Sequence, residues 1–236
     1  MIRNILLVLV LLLVGFGYGI TTMKYHFFPY DLLKKVQHWI DVDNSVSFND
    51  SQHIYHKRRV SFFKWHGGSA KNIMLGDSIT DDAEWQELFP DYSINNRGIA
   101  GDTTADTVSR LSLLSNDAEV VFVLLGTNDI MQGLKLDSIL KNYHQIIDEL
   151  LNKKVTPIIQ STLLLGEQFK HLNNQVEMLN HSLQRIANEK NITYIDLNSV
   201  LTADGVLQAQ YSIDGIHLNG EGYALWKKQI IEFMQQ

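Results

Sequence analysis

No cysteine occurs anywhere in the 236 residues. Its absence excludes disulfides, thiolate metal sites, a cysteine nucleophile and a lipoprotein-type anchoring cysteine. The nine histidines form no cluster with Asp or Glu at metal-ligand spacing, so neither a metal nor any other cofactor is expected. Glycine-bearing turns are present, but none ends in the Lys-Ser/Thr of a phosphate loop. Internal repeats and low-complexity tracts are missing as well. Positive charge is scarce in the larger part of the chain: residues 72–236 hold 11 Lys/Arg against 22 Asp/Glu, a balance of −11. A domain this acidic argues against nucleic-acid binding.

What the chain does have is a set of residues suited to acyl transfer. Gly76-Asp77-Ser78-Ile79-Thr80 follows the apolar run Asn72 to Leu75, and residues 83–89 read as helical, so Ser78 sits at a strand-to-helix turn. In an open parallel sheet such turns lie where ligands bind. Far downstream comes Asp214-Gly215-Ile216-His217. A serine hydroxyl is a poor nucleophile unless a histidine takes its proton, and a third group usually holds that histidine. Taken alone, Asp77 and Ser78 are equally good helix caps. Two further polar, glycine-bearing segments follow predicted strands: Asn95 to Thr104, which contains Gly101, and Gly126-Thr127-Asn128-Asp129. The backbone N–H of Gly101 and the side-chain amide of Asn128 are candidate donors to an oxyanion, whose stabilisation is often the largest catalytic term.

These four blocks, in this order, resemble the SGNH hydrolases, also called GDSL esterases and lipases, over roughly residues 70–236. The stretch Asn96 to Thr104 looks closest to the platelet-activating-factor-acetylhydrolase-like and carbohydrate-acetylesterase branches. The resemblance implies Ser78 as nucleophile, His217 as base and Asp214 as its orienting acid. It also implies an oxyanion hole made by the N–H groups of Ser78 and Gly101 and the amide of Asn128. Asp77 and Leu163 are candidate substrate-binding residues, the latter because Leu163-Leu164-Leu165-Gly166 offers a wall for an acyl pocket. The expected activity is hydrolysis of short-chain esters, O-acetyl groups in particular, on a carbohydrate or other small molecule. A lysophospholipase, a thioesterase or an acyltransferase would use the same residues, and a tethered binding module would keep the fold without the chemistry.

Apolar, β-branched runs at residues 72–75, 92–95, 120–125, 157–160 and 193–197 alternate with helical patterns at 104–114, 136–151, 172–188 and 220–233. Alternation of this kind predicts an α/β fold, a parallel sheet covered by helices on both faces as an α/β/α sandwich. The resemblance implies five strands in the flavodoxin-like order 2-1-3-4-5. Asn219 is the expected N-cap of the last helix, which would hold the loop carrying Asp214 and His217. His144, His171 and His181 read as ordinary surface or boundary residues.

Ahead of this domain, Asn4 to Met23 is a run of 20 residues without a charge. As a helix it would span about 30 Å, the thickness of a hydrocarbon core. Residues 1–23 are therefore expected to be a transmembrane anchor or, if cleaved after Gly17-Tyr18-Gly19, a signal segment. Residues 24–70 read as a basic, helical juxtamembrane linker, and 71–236 as the hydrolase domain. From Lys24 to Lys71 there are 8 Lys/Arg against 4 Asp/Glu, a balance of +4 that suits an anionic headgroup surface. His56-Lys57-Arg58-Arg59 within it is equally well the solvated face of a helix. On this reading the catalytic domain works outside the cytoplasm, either held at the membrane or secreted.

Overall fold

The computed structural model describes residues 48–236, together with Gly15 and Tyr18. The expected anchor and the start of the linker lie outside the described residues. Among the described residues no helix is long and apolar enough to cross a membrane. The compact unit that carries the sheet runs from Ser51 to Gln236, so it begins ahead of the boundary expected at residue 71.

The first described element is helix α1 (Phe48–His66). Strand β1 (Asn72–Gly76) follows, then two short helices, α2 (Ser78–Asp81) and α3 (Trp85–Leu88), and strand β2 (Ile94–Gly98). The chain continues through α4 (Thr104–Ser109), β3 (Val120–Leu124), α5 (Thr127–Met131), α6 (Leu136–Asn152) and β4 (Thr156–Gln160). It ends with α7 (Asn173–Lys190), β5 (Thr193–Ile195), α8 (Asn198–Leu201), a small hairpin of β6 (Thr202–Ala203) and β7 (Val206–Leu207), and α9 (Gly220–Ile230). The five main strands are all parallel, in the order β2-β1-β3-β4-β5.

Side-chain alternation along each strand builds a core on both sheet faces. Ile73, Leu75, Val121, Val123 and Ile159 face one side and meet α6 and α7. Along α6 the buried residues Ile139, Tyr143, Ile146, Ile147 and Leu150 recur at helical spacing, a stripe that can only be satisfied against the sheet. Met74, Phe122, Leu124 and Ile158 face the other side and meet Trp85, Phe89 and Trp226. Trp85 stands edge-on to Trp226, with ring centroids 4.9 Å apart. Both indole N–H groups are satisfied, by the Thr80 carbonyl at 2.8 Å and by Gln160 Oε1 at 2.5 Å.

The second strand is not where apolar content placed it. It was expected at residues 92–95, yet β2 runs through Asn95, Asn96 and Arg97 to Gly98. As an edge strand it can use polar side chains: Asn96 Nδ2 donates to the carbonyls of Asp81 and Ala83, fastening α2 against the edge. At the end of β2 the backbone of α2 comes so close that a Cβ on Gly98 would lie 2.2 Å from the Asp81 nitrogen. Any larger residue there would displace the helix that begins with Ser78. The helix expected over residues 83–89 is found as the shorter α3, and a separate turn of helix, α2, precedes it and begins at Ser78 itself.

Candidate active site

Ser78, Gly101 and Asn128 stand on the segments leaving the carboxyl ends of β1, β2 and β3, three neighbouring parallel strands. The sheet thus gathers residues that are far apart in sequence at one edge. His217 reaches the same place on the loop before α9. Ser78 Oγ lies 2.9 Å from His217 Nε2, and His217 Nδ1 lies 2.6 Å from Asp214 Oδ2.

Asp214 is held by its own loop. Its Oδ1 accepts the N–H groups of Ile216 at 2.9 Å and His217 at 2.8 Å. Partial burial pushes its pKa up, but the bonds from the His217 imidazole and from these two N–H groups outweigh it and hold the carboxyl at about 2. An ionised Asp214 can only accept, so Nδ1 of His217 carries the proton and the Nε2 lone pair faces the Ser78 hydroxyl. The loop itself is closed by Gly215 N–H donating to Ser212 Oγ at 2.8 Å and by Asn219 N–H donating to the Tyr211 carbonyl at 2.9 Å. Asn219 is the N-cap of α9, its side chain accepting from Glu221 and Gly222, as expected from its position. Tyr223 OH then ties α9 to the Ile79 carbonyl at 2.7 Å, next to the serine.

The other side, which holds the candidate oxyanion donors, is built from two further loops. Ser78 opens α2, where the first N–H groups of a helix have no intrahelical acceptor. Gly101 has φ +85°, a conformation that L side chains rarely adopt. Asn128 Nδ2 donates to the Asp102 carbonyl at 3.0 Å, which anchors the amide beside Gly101. Asp129 locks the same two loops together, accepting from the Thr104 N–H at 2.9 Å and from the Thr104 hydroxyl at 2.6 Å. Buried Arg110 completes the frame: it donates to Asp102 Oδ2 at 2.7 Å, to the Arg97 carbonyl at 2.8 Å and to the Gly76 carbonyl at 3.0 Å.

The two candidate substrate-binding residues are corrected. Leu163 is fully buried and packs in the core among Ile158, Ile195 and Leu197, so it walls no pocket. Asp77 is also fully buried and serves as the N-cap of α2, accepting the Ile79 N–H at 3.0 Å. It therefore fills the helix-capping role that its residue type allowed. His171 and His181 are exposed and His144 is half-buried, none of them near the catalytic loop's hydrogen bonds. Sequence reasoning missed Asp102, Arg110 and Asp129, although two Asp at the predicted start of one helix and after one strand are a signal for capping. Among the described residues no group of His, Asp and Glu is arranged to hold a metal ion.

A parallel sheet between two layers of helices thus carries a Ser78–His217–Asp214 hydrogen-bond chain at the carboxyl ends of its strands. The chain belongs to the GDSL-like Lipase/Acylhydrolase family, whose profile matches residues 74–225. Among curated relatives it is 26% identical to N-acylneuraminate cytidylyltransferase of Streptococcus agalactiae serotype V, over 71% of this chain and 39% of that enzyme. The chain thus spans about two fifths of the length of that relative. It is also 26% identical to platelet-activating factor acetylhydrolase IB subunit alpha2 of Rattus norvegicus, over 70% of this chain and 76% of that one. A GDSL-like lipase from Bacteroides thetaiotaomicron shares the fold with a TM-score of 0.68 and 21% identity, covering 75% of this chain and 96% of that chain.

Asp77 generates a prediction about pH. Its burial raises the carboxyl pKa to about 7, against the Ile79 N–H bond and the charge of His217, and with Asp102 and Asp129 pushing the same way. Because the folded pKa lies above the unfolded value, stability is full below about pH 4 and is lost as pH rises through about 7. Asp77→Asn keeps an acceptor for the Ile79 N–H and removes the ionisation. Thermal melts should show the variant gaining on the parent between pH 5 and pH 8.5; a difference that does not change with pH would contradict this assignment.

Proposed function

We propose that the protein is a serine esterase that hydrolyses short-chain esters, O-acetyl groups on a carbohydrate or another small molecule, through an acyl-Ser78 intermediate. The observation that carries this reading is the unbroken relay from Ser78 Oγ through His217 to Asp214, at 2.9 and 2.6 Å. Ser78 Oγ forms a bond to the ester carbonyl carbon while its proton passes to His217 Nε2. The carbonyl oxygen becomes an oxyanion, received by the N–H groups of Ser78 and Gly101 and the side-chain amide of Asn128. When the carbon–oxygen bond to the alcohol breaks, the alcohol leaves with the proton from His217. Water then attacks the acyl-enzyme, gives its proton to His217, and Ser78 takes that proton back as the acid departs.

Two observations support a small acyl group. Burial of Leu163, Leu164 and Leu165 removes the leucines most suited to lining a long acyl channel. One relative is named for acetyl hydrolysis of platelet-activating factor and another for hydrolysis of isoamyl acetate, both of which favour a two-carbon acyl group. The rivals are a lysophospholipase or thioesterase, an acyltransferase in which a sugar hydroxyl replaces water, and a binding module without turnover.

The run Asn4 to Met23 is proposed to hold the enzyme at a membrane, with the catalytic unit on the extracytoplasmic side. In support, α1 exposes Ile54, Phe62 and Trp65 together with Lys57, Arg58 and Lys64, a mixture suited to an anionic lipid surface. Removing residues 1–23 should move the protein from the membrane fraction to the soluble fraction of the expressing cells, and unchanged sedimentation would refute the anchor.

Hydrolysis of p-nitrophenyl acetate should disappear in Ser78→Ala, together with labelling by a fluorophosphonate probe. Asn128→Ala should reduce turnover by roughly 100-fold while the fold is retained, as judged by circular dichroism. Near-parental turnover in Ser78→Ala, or folded parent that the probe does not label, would overturn the esterase reading. In a chain-length series of p-nitrophenyl esters, C2 should be cleaved far faster than C8; the reverse order would favour the lysophospholipase or thioesterase.

A further inference from the structure

Helix α1 lies upstream of residues 74–225, the part matched by the family profile. Its inward face nevertheless reaches the oxyanion loop from both sides of Gly101. On one side, His56 Nδ1 lies 2.7 Å from Asp102 Oδ1. Asp102 is the residue whose other carboxylate oxygen is held by Arg110 and whose carbonyl anchors the Asn128 amide. On the other side, Tyr55 OH donates to Asp81 Oδ2 at 2.5 Å and Arg59 pairs with Asp81 Oδ1 at 3.0 Å. Asp81 closes the helix that begins with Ser78, and its Oδ2 accepts the Ala100 N–H at 3.1 Å. Across the glycine itself lies Gln52, whose Nε2 would come within 3.2 Å of a Cβ added to Gly101.

The helix is fastened to the body of the unit by its own packing, so these contacts have something to push against. Phe63 is 3% exposed and lies between two guanidinium groups, Arg59 at 4.8 Å and Arg97 at 4.6 Å from its ring centroid. Arg97 also donates to the Gly67 carbonyl at the end of the helix. By contrast Lys57 and Arg58, between the inward residues, are exposed. The basic run His56-Lys57-Arg58-Arg59 is thus two surfaces, one solvated and one bound to carboxylates.

We infer that helix α1 is a positioning element for ester hydrolysis: through His56 on Asp102, and Tyr55 and Arg59 on Asp81, it holds Ala100, Gly101 and Asp102 where the Gly101 N–H and the Asn128 amide converge on the oxyanion. None of the three touches substrate. They act through two carboxylates that each hold the body of the unit by one other bond, Asp102 to Arg110 and Asp81 to the Ala100 N–H, and a loop whose central residue is a glycine has little stiffness of its own. Oxyanion donors act only when preorganised, so loss of this support should appear in the transition state rather than in substrate binding.

The inference rests on the esterase reading, and its test has one readout that does not. In the full-length protein, His56→Ala and the double variant Tyr55→Phe, Arg59→Ala should each lower kcat for p-nitrophenyl acetate by about 10- to 100-fold with KM little changed. His56→Asn, which can still donate from a similar position, should recover most of the loss, and Lys57→Ala should match the parent. Amide hydrogen exchange of residues 99–103 should accelerate in His56→Ala and not in Lys57→Ala, whether or not the protein turns over any ester. Parental kcat and parental exchange in both helix variants would overturn the inference. So would a kcat loss fully accounted for by the unfolded fraction in melts of the same samples, since that is a role in stability alone. Faster loop exchange in a protein that cleaves no ester would leave the support standing and remove the esterase reading instead.

Discussion

The buried ion pair between Arg110 and Asp102 is the constraint on which the rest of the site depends. Both side chains are 2% exposed, and the guanidinium also donates to the carbonyls of Arg97 and Gly76. Gly76 ends β1 just before Asp77 and Ser78, and Arg97 lies in the strand that leads into the Gly101 loop. One planar, five-donor group therefore sets the distance between the turn that carries Ser78 and the loop that carries Gly101, a task for which a lysine has the wrong geometry. Truncating one partner of such a pair strands the other in the core, at a typical cost of about 3–5 kcal/mol. The pair is kept satisfied on its outer side too, where His56 meets the second oxygen of Asp102.

From that pair the site divides into two halves held by different means. The relay half is local: Asp214 and His217 lie three residues apart, and the loop's own N–H groups and the Asn219 cap shape it. The half around Gly101 and Asn128 is assembled from segments that share no local sequence. Gly101, Asn128, Asp129 and Thr104 meet only because β2 and β3 flank β1 in the sheet. A family-specific domain can keep the first half on its own, whereas the second is open to support from outside it. Helix α1 sits at that opening.

Much of this was readable from residue types. The run at β3 is continuously apolar and those at β1 and β4 have apolar centres because these strands are covered on both faces, and α6 announces itself through Ile139, Tyr143, Ile146 and Leu150. Ser78, Asp214 and His217 stood out by residue type and order, and the structure brings them within hydrogen-bond reach of one another. Strand β2 was misplaced because an edge strand beside a helix start can be polar, so Asn95, Asn96 and Arg97 look like a loop. Leu163 was misread because a leucine after a strand looks the same whether it lines a cleft or fills a core. Helix α5 and the β6–β7 hairpin are too short to leave a periodic trace.

The sequence by itself determined the chemistry on offer: which side chains can attack, accept a proton or donate to an anion, and the order in which a parallel α/β chain presents them. Only the tertiary structure decided which polar residues are partners. His56 and Lys57 are adjacent in one polar run of the sequence, yet one is bound to Asp102 and the other faces water. The physical reason is that burial and hydrogen bonding depend on which surface a helix turns inward, and that is set by the sheet edge it packs on rather than by the residues beside it.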